Sequence, residues 1–191
     1  MRGRLQPELR CVYSEDPGKS DLEGDFRFRS RIRMGILTDD MKRVVREQRL
    51  GYIATVCRDG TPNLSPKGTT AVWDDDHLMF ADIRSPQSVE NIERNPSVEV
   101  NVVDPLVRKG YRFKGQGSVH RSDDVFRHAC QMYRDAGATD EISNAIRAVV
   151  LIRVDRALPV ISPAYDHGAT EEQVKDRMRR YWRKLWDGAE E

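Results

Sequence analysis

The residues best suited to chemistry gather in two short segments. The first is Ser65-Pro66-Lys67-Gly68-Thr69, where a lysine and a glycine interrupt a strand that should alternate with apolar side chains. A turn between strands explains the proline and the glycine, but not the lysine. Gly68 lets a planar ligand approach the backbone, and Lys67 supplies a compact positive charge suited to phosphate. The second segment is Asp82-Ile83-Arg84-Ser85-Pro86-Gln87-Ser88, which joins a strand to the start of a helix. Unpaired backbone N–H groups and the helix dipole favour an anion there. Arg84 adds charge, while Ser85, Gln87 and Ser88 add hydrogen-bond donors. Taken alone, this loop needs no ligand: Ser85 is an N-cap, Pro86 the first helical residue and Arg84 a solvated side chain. Together, two phosphate-suited positions on neighbouring strands point to a phosphorylated cofactor.

Other catalytic schemes lack their apparatus. No GxSxG elbow, HExxH helix or GxxxxGK[ST] loop occurs, which sets aside acyl transfer, zincin chemistry and P-loop phosphoryl transfer. Gly115-Gln116-Gly117 lies within a strand rather than at a strand-to-helix turn, so no GxGxxG signature is present. His77, His120, His128 and His167 show no ligand-like pairing and read as surface or strand residues. Cys11, Cys57 and Cys130 are odd in number and widely spaced, which excludes a CxxC zinc site and a disulfide framework. No metal site is expected, and a reducing cytoplasm is the expected compartment.

The elements that must position these residues follow from periodicity and punctuation. Thr38 caps a helix reaching about Arg49, with Met41, Val44 and Val45 as its apolar stripe. Gly51–Cys57 is a strand, Arg58–Gly60 a hairpin turn and Thr61–Lys67 the returning strand. Thr69–Trp73 and His77–Asp82 are further strands, and Pro86–Arg94 is a helix stopped by Asn95-Pro96. Ser97–Val103 and Tyr111–His120 alternate as strands do. Ser122 caps a helix through about Ala136, a short helix covers Asp140–Arg147, and Ala148–Val154 is the strongest strand. Glu171–Trp186 forms an amphipathic helix with Val174, Met178, Tyr181, Trp182 and Leu185 on one face and a basic outer face. Gly51–Asp82 leaves no room for crossover helices, so the expected fold is α+β: an antiparallel split β-barrel with peripheral helices.

The chain of 191 residues suits one domain with some thirty residues to spare. We expect an N-terminal extension over residues 1–33, a barrel domain over 34–168 and a C-terminal amphipathic helix over 169–191. Within the extension, Ser14–Asp25 is acidic and free of large apolar runs. Phe26–Arg33 alternates apolar residues with arginine, reading as a solvated basic tail or as an arm that packs on a partner subunit. Lys+Arg 32 against Asp+Glu 31 gives no reason to propose nucleic acid. The longest apolar runs fall far short of the roughly 20 residues of a membrane span, and no secretory signal opens the chain. No membrane partner is expected on these grounds.

Several stretches resemble the FMN-binding split-barrel family related to pyridoxamine 5′-phosphate oxidase. They are the opening helix, GYIATVCRDGTPNLSPKGT (Gly51–Thr69), DDDHLMFAD (Asp74–Asp82), RSPQSVENIERNP (Arg84–Pro96) and GYRFKGQG (Gly110–Gly117). The resemblance runs from about Leu37 to His120 and more loosely through Ala148–Val154. It implies that Lys67, Arg84, Ser85, Gln87 and Ser88 hold the FMN phosphate, while Ser65, Gly68, Thr69 and Asp82 line the ribityl chain and ring edge. It also implies a homodimer with flavin at the interface, where Tyr111 and Arg112 would touch the partner's cofactor. The oxidases proper carry an arginine-containing substrate motif near the C-terminus. Leu158–Asp166 (LPVISPAYD) has no counterpart, so the resemblance implies flavin binding without implying vitamin B6 oxidation. Ser162–Tyr165 reads as a flap over the ring or as an exposed turn.

The function expected is that of an FMN-dependent oxidoreductase acting on a small molecule, with the flavin doing the redox work and no catalytic side chain assigned. Two alternatives stay open: a deazaflavin-dependent reductase, to which Arg108-Lys109 would contribute basic groove, and a non-enzymatic module binding flavin or haem.

Overall fold

A computed structural model describes residues 35–188. The reading of residues 1–33 as an extension lies outside the described residues. Thr38 accepts the Met41 N–H at 3.3 Å to cap α1 (Asp39–Gln48), and Val44 and Val45 bury its inner face. The hairpin β1 (Gly51–Val56) and β2 (Pro62–Lys67) follows, then a short β3 (Ala71–Val72) and β4 (His77–Asp82). Helix α2 (Pro86–Arg94) leads to β5 (Ser97–Asp104) and β6 (Lys109–His120). Helices α3 (Asp124–Asp135) and α4 (Asp140–Ala145) precede the long β7 (Ala148–Ile161), and α5 (Glu171–Asp187) ends the described chain.

All seven strands pair antiparallel in the order β2-β1-β5-β6-β7-β4-β3. The sheet curls on itself but its ends, β2 and β3, do not pair, which makes the barrel split. Ile53, Val100, Phe113, Phe80, Val150 and Ile152 fill the inside, closed by α1 and by Val89 and Ile92 of α2. A second apolar layer on the opposite face packs Met79, Ala81 and Val149 beneath Ala129, Cys130 and Tyr133 of α3. Strands β4 and β7 are thus covered on both faces. This is why HLMFA and AVVLI run without alternation while SVEVNVV, covered on one face, alternates.

Three expectations change. The cap of α3 is Asp123, not Ser122, because Asp123 accepts the Phe126 N–H at 2.9 Å. The strand expected over Thr69–Trp73 shrinks to Ala71–Val72. Thr69 instead uses its hydroxyl against the Ala81 backbone, at 3.0 Å to N and 3.1 Å to O. The strand expected to end at Val154 continues to Ile161 past a bulge at Asp155, which interrupts the register between Lys114 and Gly115. The polar pair Asp155-Arg156 resembles a strand end, but the pairing resumes beyond it.

Helix α5 begins with a capping box between Thr170 and Gln173. Of its apolar stripe only Val174 is buried, and Tyr181, Trp182, Leu185 and Trp186 stay in solvent.

The bulge yields a test. A Cβ on Gly115 would lie 2.1 Å from the Arg153 carbonyl oxygen, a backbone atom that cannot give way. Gly115→Ala should lower stability by about 1–3 kcal/mol, an overpacking penalty read as a fall in thermal midpoint. An unchanged midpoint would show that the β6–β7 bulge is not tight.

Candidate functional site

Lys67 is the last residue of β2, an end strand, and its side chain points into the barrel. The residue is only 4% exposed. Its ammonium donates to Ser65 Oγ at 2.5 Å and to Ser85 Oγ at 2.7 Å. Ser85 follows β4, so the Lys67–Ser85 bond crosses the split, while the Ser65 bond stays within β2. The Phe80 ring lies below, with Nζ 5.7 Å from its centroid. Burial pushes the Lys67 pKa down, and the longer-range attraction of Asp82 offsets only part of this. No carboxylate stands within ion-pair distance of Lys67 among the described residues, so two neutral hydroxyls hold a buried cation.

The loop after β4 is braced from within. Asp82, 5% exposed, accepts the Ser85 N–H at 2.7 Å. Pro86 carries no N–H, and the Ser88 N–H turns back to Ser85 O at 3.1 Å. The end of α2 is therefore largely occupied, and the site's attraction for an anion rests on Lys67, Arg84 and the hydroxyls. Arg84 is exposed and forms no ion pair among the described residues.

Beside this cradle runs a chain of amides and hydroxyls. Gln87 Nε2 donates to Asn91 Oδ1 at 2.9 Å, and Asn91 Nδ2 donates to Thr55 Oγ1 at 3.0 Å. Asn63 Nδ2 donates to the same Thr55 oxygen at 3.0 Å and reaches Ser88 Oγ at 3.4 Å. Asn91 and Thr55 are buried, so this polar wall fixes α2 against the β1–β2 hairpin. Sequence reasoning did not single out Thr55, Asn63 or Asn91. The signal was present: Thr55 and Asn63 are polar at facing inward positions of a hairpin, and Asn91 sits three residues after Ser88 on the helix.

Of the expected site residues, Ser65, Lys67, Ser85, Gln87 and Ser88 come together with Arg84 at the rim. Gly68 is open, with nothing within 4 Å of where a Cβ would lie. Thr69 and Asp82 are committed to the scaffold. Arg112 lies elsewhere, on the outer face of β6, where it pairs with Glu99 at 3.0 Å. Tyr111 points the opposite way and donates to Asp40 at 2.5 Å. Arg108-Lys109 stands three strands from β2, with Lys109 bonded to Glu171 at 2.8 Å and stacked over Tyr165. Tyr165 closes the turn after β7 by donating to Val107 O at 2.6 Å, so Ser162–Tyr165 braces the β5–β6 turn.

One further cluster has the look of a relay. Ser118, His120 and Asp123 hydrogen-bond in series, at 2.8 and 2.7 Å. Asp123 is also the cap of α3, and the three residues hold the β6–α3 corner.

The family model of pyridoxamine 5′-phosphate oxidase matches residues 37–159. The chain belongs to this family. The Group A Streptococcus protein HupZ is 29% identical, with a TM-score of 0.58 over 65% of this chain and 94% of that one. A putative pyridoxamine 5′-phosphate oxidase from Lactobacillus delbrueckii is 26% identical, with a TM-score of 0.54 over 66% of this chain and 97% of that one. An FMN-binding protein from Syntrophomonas wolfei shares the fold at 14% identity and a TM-score of 0.55, over 66% and 87% of the two chains. A search among curated proteins gives no match. The matched stretch of this oxidase-family chain contains the whole cradle and stops before α5.

The cradle's charge state yields a second test. A lysine whose folded pKa lies below its unfolded value near 10.5 gives up its proton earlier in the native state. Stability therefore rises with pH between the two values and is held down below them. Lys67→Met should be at least as stable as the wild type at pH 7, by on the order of 1 kcal/mol. Denaturant titrations should show that gap closing as pH climbs toward the unfolded value. A variant that is less stable at every pH would mean that the ammonium's hydrogen bonds outweigh its desolvation.

Proposed function

We propose that the chain binds FMN at the Lys67–Ser85 cradle and is an oxidoreductase acting on a small molecule. The observation that carries this reading is the buried Lys67 ammonium, which has hydroxyl partners but no carboxylate. Such a cation gains more from an incoming dianionic phosphate than a lysine already paired with an acid would. Ser65 and Ser85 can then rotate to donate to phosphate oxygens, with Arg84 at the rim. Gly68, open toward solvent, leaves space for the flavin beside the backbone. Bound FMN would supply hydride chemistry at its ring, and the protein would supply the phosphate anchor and the orientation. Family membership and the FMN-binding protein of the same fold support this reading.

The same reading includes a homodimer with flavin at the interface. Tyr52 and Leu64, 46% and 65% exposed on the outer face of the β1–β2 hairpin, supply apolar surface for such a contact. Arg112 and Glu99 lie on that outer face too, where a partner's cofactor would meet them.

Titration of FMN fluorescence tests the anchor. Lys67→Ala removes a charge-assisted contact worth about 1.5–3 kcal/mol, so FMN affinity should fall by roughly ten- to a hundredfold. Riboflavin, which lacks the phosphate, should bind both proteins alike. In the wild type, FMN affinity should weaken as pH rises through the depressed Lys67 pKa, and riboflavin affinity should not. Equal losses for FMN and riboflavin would remove Lys67 from the phosphate site. Failure of the wild type to bind FMN at micromolar concentration would overturn the reading.

A further inference from the structure

From Arg179 onward every described residue of α5 is exposed, although this end carries the helix's largest apolar side chains. Tyr181, Trp182, Leu185 and Trp186 are 52, 37, 57 and 84% exposed. At 100° per residue they share one face with the buried Val174, so the stripe that docks the start of the helix continues past the barrel uncovered. Trp182 and Trp186 also line an open groove with Pro105 and Leu106 of the β5–β6 turn. Four large side chains left on one face is more than scattered surface apolarity. The family match ends at residue 159, before this helix.

We propose that this end of α5 is a docking surface for anionic phospholipid membranes. Charge selects the partner. Between Lys175 and Asp187 the helix carries six basic residues and two acidic ones, Asp176 and Asp187. Asp176 lies 3.6 Å from Arg179 on the polar side of the helix, and Asp187, at its last turn, borders the groove beside Arg179 and Arg183, where basic residues outnumber it. Arg179 and Arg183 flank that face on one side, and Arg177 on the other. A second copy seated on the same face would bring these like-charged rims together, which disfavours self-pairing. An amphipathic helix, polar on average, with tryptophan and leucine on one face and arginine and lysine beside it, is built to lie in the headgroup region of a bilayer. Tyrosine and tryptophan suit that depth because each joins an apolar ring to a polar tip. No helix of the described residues is long and apolar enough to cross a membrane, so contact of this kind is peripheral. The surface is separate from the flavin cradle, and its occupancy does not depend on flavin.

Co-sedimentation of the full chain with sucrose-loaded vesicles tests the proposal. The vesicles are pure phosphatidylcholine or equal parts phosphatidylcholine and phosphatidylglycerol. The protein should pellet with the mixed vesicles at low salt and stay in solution with pure phosphatidylcholine. Binding should be lost when salt is raised to about 1 M, where the screening length falls to about 3 Å. Tryptophan emission should shift to the blue on binding. Trp182→Ala/Trp186→Ala and Arg179→Glu/Arg183→Glu should each weaken partitioning by about tenfold or more, with the folded barrel retained because none of these side chains belongs to its core clusters. Three results overturn the proposal: no pelleting with the mixed vesicles at low salt, pelleting that both double variants retain, or sedimentation-velocity dimerisation abolished by the same tryptophan substitutions. The last would assign the face to a second copy.

Discussion

An ammonium group stripped of most of its water, with no acid beside it, is the constraint around which the rest of this barrel is arranged. Lys67 can be buried only because Ser65 and Ser85 accept from it, and Ser85 is in place only because Asp82 fixes its N–H. The Lys67–Ser85 bond joins the end of β2 to the loop after β4 across the one line where the sheet does not pair. In a closed barrel the same residues would meet a neighbouring strand, and a lysine pointing inward would be excluded. The split creates both the edge that tolerates a polar interior face and the opening through which an anion can reach it. Burying the cation costs desolvation free energy that an apolar side chain of the same size would not, a conflict the fold carries at this seam.

That conflict is contained by the layering around it. Strands β4 and β7, buried on both faces, hold Asp82 and the loop after it against two separate apolar clusters. Tyr133 ties α3 to the Thr69 carbonyl at 2.8 Å, and burial pushes its phenol pKa far up, so it stays a neutral donor. Thr69 in turn locks the backbone between β2 and β3 to Ala81. The segment carrying Lys67 and Gly68 is therefore fixed at its Thr69 end by groups that do not titrate near neutrality. A site placed at the seam of the sheet needs such anchors, because its own strand supplies hydrogen bonds on one side only.

Much of this could be read in the sequence, for physical reasons that differ by residue. The boundaries of α2 were legible because Pro86 and Asn95-Pro96 act through the local backbone, independent of tertiary contacts. The odd character of Lys67 was legible because an inward strand position normally holds an apolar side chain. The full length of β7 was not, since a bulge is defined by its partner strand, and Gly115 explains Asp155 only once β6 and β7 are aligned. The wall of Thr55, Asn63 and Asn91 joins three elements, and no local pattern relates them. Helix α5 shows the reverse error: its periodicity was correct, but periodicity says that a face is apolar and not what covers it.

Whole-chain charge misleads for a related reason. With 32 basic and 31 acidic residues, the sequence averages to near neutrality and gives no sign of an electrostatic function. The fold undoes that average. Most carboxylates are consumed locally, as Asp40 and Glu47 are by Arg43, Glu99 by Arg112 and Lys114, and Glu93 by Arg121. Exposed pairs of this kind contribute little to stability, but each one removes a charge from the far field. Among the described residues, the cations without a carboxylate partner include the buried Lys67, Arg84 beside it and several arginines of α5, together with the exposed Arg46, Arg49, Arg58, Arg108 and Arg156. Lys67 is a single charge in a poorly solvated place, where its field is strong at short range. The basic residues of α5 are several charges on an exposed helix, each weak individually because water screens it. Folding thus distributes one neutral composition unevenly, and the reach of each cation follows from its burial rather than from residue count.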